Sequence, residues 1–396
     1  MNRRILALLI AFIMLFGLMT GCASGKQEAA APETAQTESP TAEDTAAEPE
    51  QTEESPAEEE APAEPETVSF TDSLGRTVEL PADITRIAPS GAVATMILAA
   101  IAPECMVTIN TAPSERQMAF LPANLAALPE TGQMYGSKAN LNLETLLAAD
   151  PQVVIDLGDK KGDMTEDLDA LQAQIGIPVV FIEADLAHMA AAFRTLGGLL
   201  SGKSDRGEEL AVLVDRTTAI AEENAAKITD DMRVRAMYTT GEDGLGTNAA
   251  GSMQAQVLDM VGVENAVVVE DVSNKGGGNI ISLEQLYNFD PDVILFADGS
   301  IYDTVADDSA WSQLTAISTG KYYEVPGSPY SWLSGPPSMN MILGVWWLGN
   351  LIYPEIYDYD METMTQELYK TLWGYELSSE EVTALLGNST LKAAAQ

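Results

Sequence analysis

Leu143-Glu144-Thr145-Leu146-Leu147-Ala148-Ala149-Asp150-Pro151-Gln152-Val153-Val154-Ile155 has a second copy further along the chain, Leu283-Glu284-Gln285-Leu286-Tyr287-Asn288-Phe289-Asp290-Pro291-Asp292-Val293-Ile294-Leu295. Leu, Glu, Leu, Asp, Pro and Val recur at the same spacing. Each copy opens on an N-cap type residue, Asn142 or Ser282, and runs for about two helical turns. Asp-Pro then stops the helix, because the residue before proline is pushed out of the helical region. A β-branched and aliphatic run follows and reads as a buried strand. Helix, tight turn and strand, used twice, predict two lobes built to one plan.

The ends are of another kind. Asn2-Arg3-Arg4 and the apolar run Ile5 to Met19 form the charged and hydrophobic regions of an export signal, too short for a helix that stays in a membrane. Thr20-Gly21-Cys22 resembles a bacterial lipobox, with Met19 where Leu is usual, so residues 1–21 are expected to be removed and Cys22 lipidated. Gln27 to Thr67 contains thirteen Glu, one Asp and no Lys or Arg. Such a segment buries too little apolar surface to offset its ordering entropy, so residues 22–67 are expected to be a disordered tether reaching roughly 35 Å.

The remainder holds 17 bases and 46 acids, a net charge of −29. No basic stripe is left to neutralise phosphates, which excludes nucleic acid as a partner, and the charge reads as a solubility device. Only Cys105 remains after Cys22, so the exported part has no internal disulfide. Its neighbours Ile101, Met106 and Val107 mark it as a buried small hydrophobe.

Strands and helices alternate. Val68 to Leu80 reads as a hairpin turning near Ser73-Leu74-Gly75, Arg86 to Ala88 as a strand, Val93 to Ile101 as a helix and Met106 to Ile109 as a strand. A helix around Glu115 to Leu121, the first copy, a strand at Val179 to Ile182 and a helix with Leu186, Met189, Phe193, Leu196 and Leu200 on one face complete an N-terminal lobe, 68–203. Residues 204–228 predict one long helix with no proline, lying between the copies and long enough to run along both lobes. The C-terminal lobe, 229–396, is expected to contain a strand at Val234 to Thr239, a polar Gly-rich loop from Gly241 to Gly251 and a helix at Met253 to Val261. It continues through the second copy, a last strand at Tyr322 to Val325 and C-terminal helices. The fold class is α/β: two Rossmann-like α/β sandwich lobes bridged by a single long α-helix.

Catalytic chemistry finds no support. No nucleophile elbow, phosphate loop or dinucleotide fingerprint occurs at a strand-to-helix junction, and His188, the only histidine, sits in an apolar helical run. One His and one unlipidated Cys cannot supply a transition-metal site, so no direct metal site and no cofactor is expected. Loops at the carboxyl ends of parallel strands line ligand crevices. By loop position the candidate cleft residues are Ser90, Tyr135, Lys138, Lys160, Thr240, Asn248, Ser252, Lys275, Tyr330 and Trp332. The lysines would meet an anionic ligand, and the aromatics offer flat apolar faces.

Lipobox, acidic tether, two α/β lobes and a spanning helix resemble the substrate-binding lipoproteins of ABC importers, in the group that captures ferric siderophores, haem and cobalamin. The most specific pieces are the two Leu-Glu-x-Leu…Asp-Pro-x-Val copies, Ile175-Gly176-Ile177-Pro178-Val179-Val180, and Pro336-Pro337-Ser338 leading into a helix. The resemblance implies a lipid-anchored protein on the outer face of a bacterial cytoplasmic membrane. It would hold a metal chelate between its lobes, a ferric siderophore first, and deliver it to an ABC permease dimer with its ATPase. It also implies that Glu144 and Glu284 dock arginines of the permease, although each also lies where a helix dipole favours a negative charge. Molybdate or tungstate, haem and cobalamin stay open as ligands, and a surface scaffold and an enzyme as other functions.

Overall fold

The structure, a computed structural model, describes residues 66–134, 139–160, 162, 164–274 and 277–390. The export signal, Cys22 and nearly all of the acidic tether lie outside the described residues. Ala63–Gln396 forms one compact unit.

β1 (Thr67–Thr71) and β2 (Thr77–Pro81) make the expected antiparallel hairpin. Its turn is tied by Asp72, whose carboxylate accepts from the backbone N–H of Leu74 and Arg76 at 3.0 Å each. β3 (Ile87–Pro89), β4 (Val153–Gly158) and β5 (Val179–Glu183) form a parallel sheet in the order β3-β4-β5. Around it run α1 (Ala92–Ile101), α2 (Glu115–Met118), α3 (Leu143–Ala148), α4 (Met164–Ile175) and α5 (Met189–Leu199). The strand expected at Met106 to Ile109 does not form. That segment touches two different neighbours for one residue each, Ile87 with Met106 and Ile109 with Glu130, so no ladder propagates.

α6 (Ser204–Ala225) is the long helix, 22 residues and roughly 33 Å. It stops short of the expected Ile228 because the chain tightens into turns, with Ile228 N–H donating to the Ala225 carbonyl at 3.1 Å. α5 crosses it through two glycines: a Cβ on Gly207 would lie 2.6 Å from the Phe193 carbonyl and 2.8 Å from Gly197 Cα. No side chain fits at that crossing.

In the C-terminal half, β6 (Arg235–Thr240), β7 (Gly246–Thr247), β8 (Glu264–Asn265), β9 (Asn279–Ile280), β10 (Val293–Phe296) and β11 (Tyr322–Glu324) form one sheet. Its order is β11-β10-β6-β7-β9, with β8 also paired to β6. The core strands are parallel, but β7 runs antiparallel to β6, Thr239 facing Thr247, so the loop expected at Gly241 to Gly251 contributes a strand. α7 (Gln256–Met260), α8 (Leu283–Phe289) and α9 (Thr315–Ser318) flank it. α10 (Met341–Ile352), α11 (Met361–Trp373) and α12 (Ser379–Leu386) close the chain. Trp346, Trp347, Tyr357 and Tyr369 are fully buried there. Arg206 of α6 holds the end of α11, donating to the carbonyls of Ala100 at 2.9 Å and Thr371 at 2.6 Å. The largest core mixes residues of α1, α5, α6, α7, α10 and α11, whereas α3 and α8 pack on separate clusters over the other face of each sheet.

The two copies match in detail. Asn142 and Ser282 cap their helices by accepting from the N–H groups of Thr145 at 3.1 Å and Gln285 at 3.2 Å. Leu146 and Leu286 are fully buried, worth about 1.5–3 kcal/mol each in transfer from water. Asp150 and Asp290 take φ of 51° and 30°, the non-glycine residues with positive φ among those described. Beyond each proline the chain joins the neighbouring strand. Gln152 donates its N–H to the Arg86 carbonyl at 2.9 Å and accepts the Arg86 N–H on Oε1 at 2.9 Å. Asp292 does the same with Arg235, both at 2.9 Å.

Candidate ligand-binding site

β3 and β4 end side by side, and the loops at their carboxyl ends open onto a cavity of about 280 Å³ whose wall comes from both halves of the chain. The N-terminal half supplies Ser90, the start of α1 from Gly91 to Ala94, Gln133, and Asp156 to Asp159. The C-terminal half supplies Met253, Gln254, Asn274 and the run Ser334-Gly335-Pro336-Pro337.

α1 enters the cavity by its amino end. Gly91 is its N-cap and provides no side-chain cap. The first N–H groups of a helix have no partner within it and carry the positive end of its dipole, so backbone donors suited to oxygen face this edge of the cavity, beside the carboxylates of Asp156 and Asp159. Ser90 donates its hydroxyl to Asp156 Oδ1, which orients the serine beside that helix start. Asp156 is a buried carboxylate in an otherwise aliphatic strand.

The facing wall mixes the apolar Met253, Pro336 and Pro337 with the amides of Gln254 and Asn274 and the hydroxyl of Ser334. Asn274 Oδ1 accepts from Met253 N–H at 2.9 Å, and its carbonyl accepts from Gln254 Nε2 at 3.1 Å. Asn248 is buried behind Ser334 and donates to its Oγ at 3.3 Å. Ser252 and Ser338 are each 2% exposed with a hydroxyl that has no partner among the described residues. The lining contains no aromatic, histidine, lysine or arginine side chain among the described residues.

The sequence candidates therefore divide. Ser90 lines the cavity, and Asn248 and Ser252 stand directly behind its wall. Lys160 is exposed, one residue beyond the lining, and Thr240 ends β6 half-buried, outside it. Tyr330 is half-buried against the main core, where burial pushes its phenol up to about 12. Trp332 is a correction: it is fully buried, its ring 6.4 Å from that of Tyr369, and forms core rather than cleft. Tyr135, Lys138 and Lys275 lie outside the described residues, as does Cys22. Glu144 and Glu284 are exposed in the first turns of α3 and α8. Sequence reasoning missed Gln133, Asp156, Asn274 and Ser334. Of these, Asp156 had a visible signal, an acid inside Val153-Val154-Ile155-Asp156-Leu157.

Comparison with known proteins gives a consistent result. A family model described as periplasmic binding protein matches residues 96–329. Among solved structures, an ABC transporter solute-binding protein from Sulfurospirillum deleyianum is similar at 28% identity and a TM-score of 0.74, over 80% of this chain and 98% of that one. A periplasmic solute-binding protein from Veillonella parvula shares the fold at 24% identity and a TM-score of 0.68, over 81% of this chain and 97% of that one. The molybdate-binding periplasmic protein MolA of Haemophilus influenzae does so at 20% identity and a TM-score of 0.63, over 78% and 99%. Curated proteins yield no match.

Proposed function

This chain belongs to the periplasmic binding protein family, whose members are extracytoplasmic solute-binding proteins of ABC transporters, and on that premise we propose what it carries and how it is held. The solute is a metal centre ringed by anionic oxygens, a ferric siderophore or smaller ferric chelate, seated in the cavity between the two halves. One observation carries this: the uncapped start of α1 opens into that cavity beside Ser90. Backbone N–H groups there, with Gln133 and Asn274, offer donors to chelate oxygens. The cavity of about 280 Å³ lies at the lower edge of roughly 300–1,000 Å³ for ligand pockets, so a bulky chelator would protrude through its mouth.

That small size, with the amides of Gln133, Gln254 and Asn274 in the lining, favours a second reading, a bare oxyanion such as molybdate or tungstate.

Delivery completes the proposal. Glu144 and Glu284 dock the permease of an importer driven by its ATPase, and Cys22 carries the lipid that anchors the chain outside the cytoplasmic membrane. Among the described residues no helix is long and apolar enough to cross a membrane.

A thermal-shift panel tests the ligand: ferric citrate, a ferric hydroxamate, a ferric catecholate, molybdate, tungstate, haem and cobalamin. Stabilisation follows RT ln(1 + [L]/Kd), about 4 kcal/mol at a thousandfold excess over Kd. A shift with a ferric chelate supports the first reading, a shift with molybdate or tungstate alone the second, and none with any of them sinks both.

A further inference from the structure

Arg116 reaches from α2 in the N-terminal half to two loops of the C-terminal half. Its Nε donates to Ser328 Oγ at 2.6 Å, and its Nη1 pairs with Asp298 just beyond β10. The arm that carries it is fixed at its root, since Ser114 and Gln117 form a reciprocal cap on α2. Asp298 is fixed by close approach: a Cβ on Gly327 would stand 3.0 Å from Asp298 Cβ, so the two loops lock against each other. Past α2, Phe120 meets Tyr369 and Tyr375 edge-on, with ring centroids at 5.5 and 5.2 Å. The Tyr369 hydroxyl in turn donates to the Ser328 carbonyl. Thus α2, the loops after β10 and β11, and α11 meet at one joint.

The joint is not a dry core. A cavity of about 340 Å³ lies beside it, lined among others by Arg116, Phe120, Asp298, Ser328 and Glu381. The side chains of Arg116 and Asp298 are 56% and 43% exposed. An exposed ion pair is weak and screened by salt, which suits a contact that must break. The repeated module is also used differently on the two sides. The loop after β4 lines the ligand cavity, whereas the loop after β10 holds the arginine of the other half.

We propose that Arg116 is a positioning residue, the catch of a breakable clasp with Asp298 and Ser328 that holds the two halves together and sets how readily the cleft opens. Its effect on solute release rests on the function proposed above; the clasp itself does not, so the two can fail separately. The test is hydrogen exchange on the ligand-free full chain, read over residues 114–120, where Met118, Ala119 and Phe120 N–H groups are bonded within the turn. R116A and D298A should each speed exchange there about fivefold, and the charge swap R116D/D298R should restore most of the protection. Raising NaCl from 0.05 to 1 M should speed exchange in the natural protein and leave R116A unmoved. The informative variant is D298A, which lies in the other half: if it leaves 114–120 unchanged, or the swap restores nothing, the effect of R116A is local fraying of α2 and the clasp is refuted. A silent ligand panel would leave this result standing.

Discussion

Asp150 and Asp290 occupy the same left-handed position at the end of their helices, yet their side chains are employed differently. Asp290 accepts from the Thr315 N–H at 3.0 Å and from its hydroxyl at 2.9 Å, tying α8 to α9. Asp150 makes no side-chain bond among the described residues. A left-handed conformation costs a non-glycine residue about 1–2 kcal/mol, less for Asp, and glycine relieves it while adding about 0.4–1 kcal/mol of unfolded-state entropy. Asp150→Gly should therefore shift stability by no more than about 0.5 kcal/mol. Asp290→Gly should lose about 1–2 kcal/mol, since it also removes two hydrogen bonds of about 1 kcal/mol each. Urea midpoints of the two variants check this; equal losses would contradict it.

At the scale of elements, what could be read in advance depended on whether a segment's partner was local. The copies were legible because cap, stop and apolar strand lie within fourteen consecutive residues. Met106 to Ile109 looked like a strand because it is apolar, but a strand needs a continuous partner, and composition does not show one. β7 was hidden for the opposite reason, two residues of a polar loop recruited by β6. Trp332 shows the limit at a single site. A tryptophan in a loop rich in Pro, Gly and Ser suits a cleft, but its burial is decided by α10. A Cβ on Gly344 of that helix would lie 2.1 Å from the Trp332 carbonyl, so the loop is pressed against the helix and the ring turns inward. Trp332→Ala should cost about 3–5 kcal/mol of stability. A denaturation curve like that of the natural protein would place the ring outside the core.

On the scale of the whole molecule, the long helix and the shared core decide how the halves can move. α6 buries Leu210, Leu213, Val214 and Ala221 in a core that also takes in α7 and α10 of the other half. Separating the halves widely would expose that core to water, which opposes a wide opening. Glu144 and Glu284 begin helices that precede β4 and β10, which puts both on the side of the sheets where the cavity loops emerge. A transporter docked there would sense both halves at once. E144A/E284A should bind solute with unchanged affinity and lose uptake; normal uptake by the double variant would remove these residues from docking. The lobes, the helix and the position of Ser90 were legible in the sequence. Gln133, Asn274 and Ser334 were not, because they meet only when the two halves come together.

The start of α1 has an evolutionary consequence. Its donors are main-chain N–H groups, present whatever side chains stand at Ala92, Val93 and Ala94, so no substitution short of proline can delete one. Drift in ligand preference must then be written in the side chains around that entrance, Ser90, Gln133 and Asp159 on its own side and Met253, Gln254, Asn274 and Ser334 on the opposite wall. Relatives with the same α1 entrance and different residues at those places are where new cargo specificities should be sought.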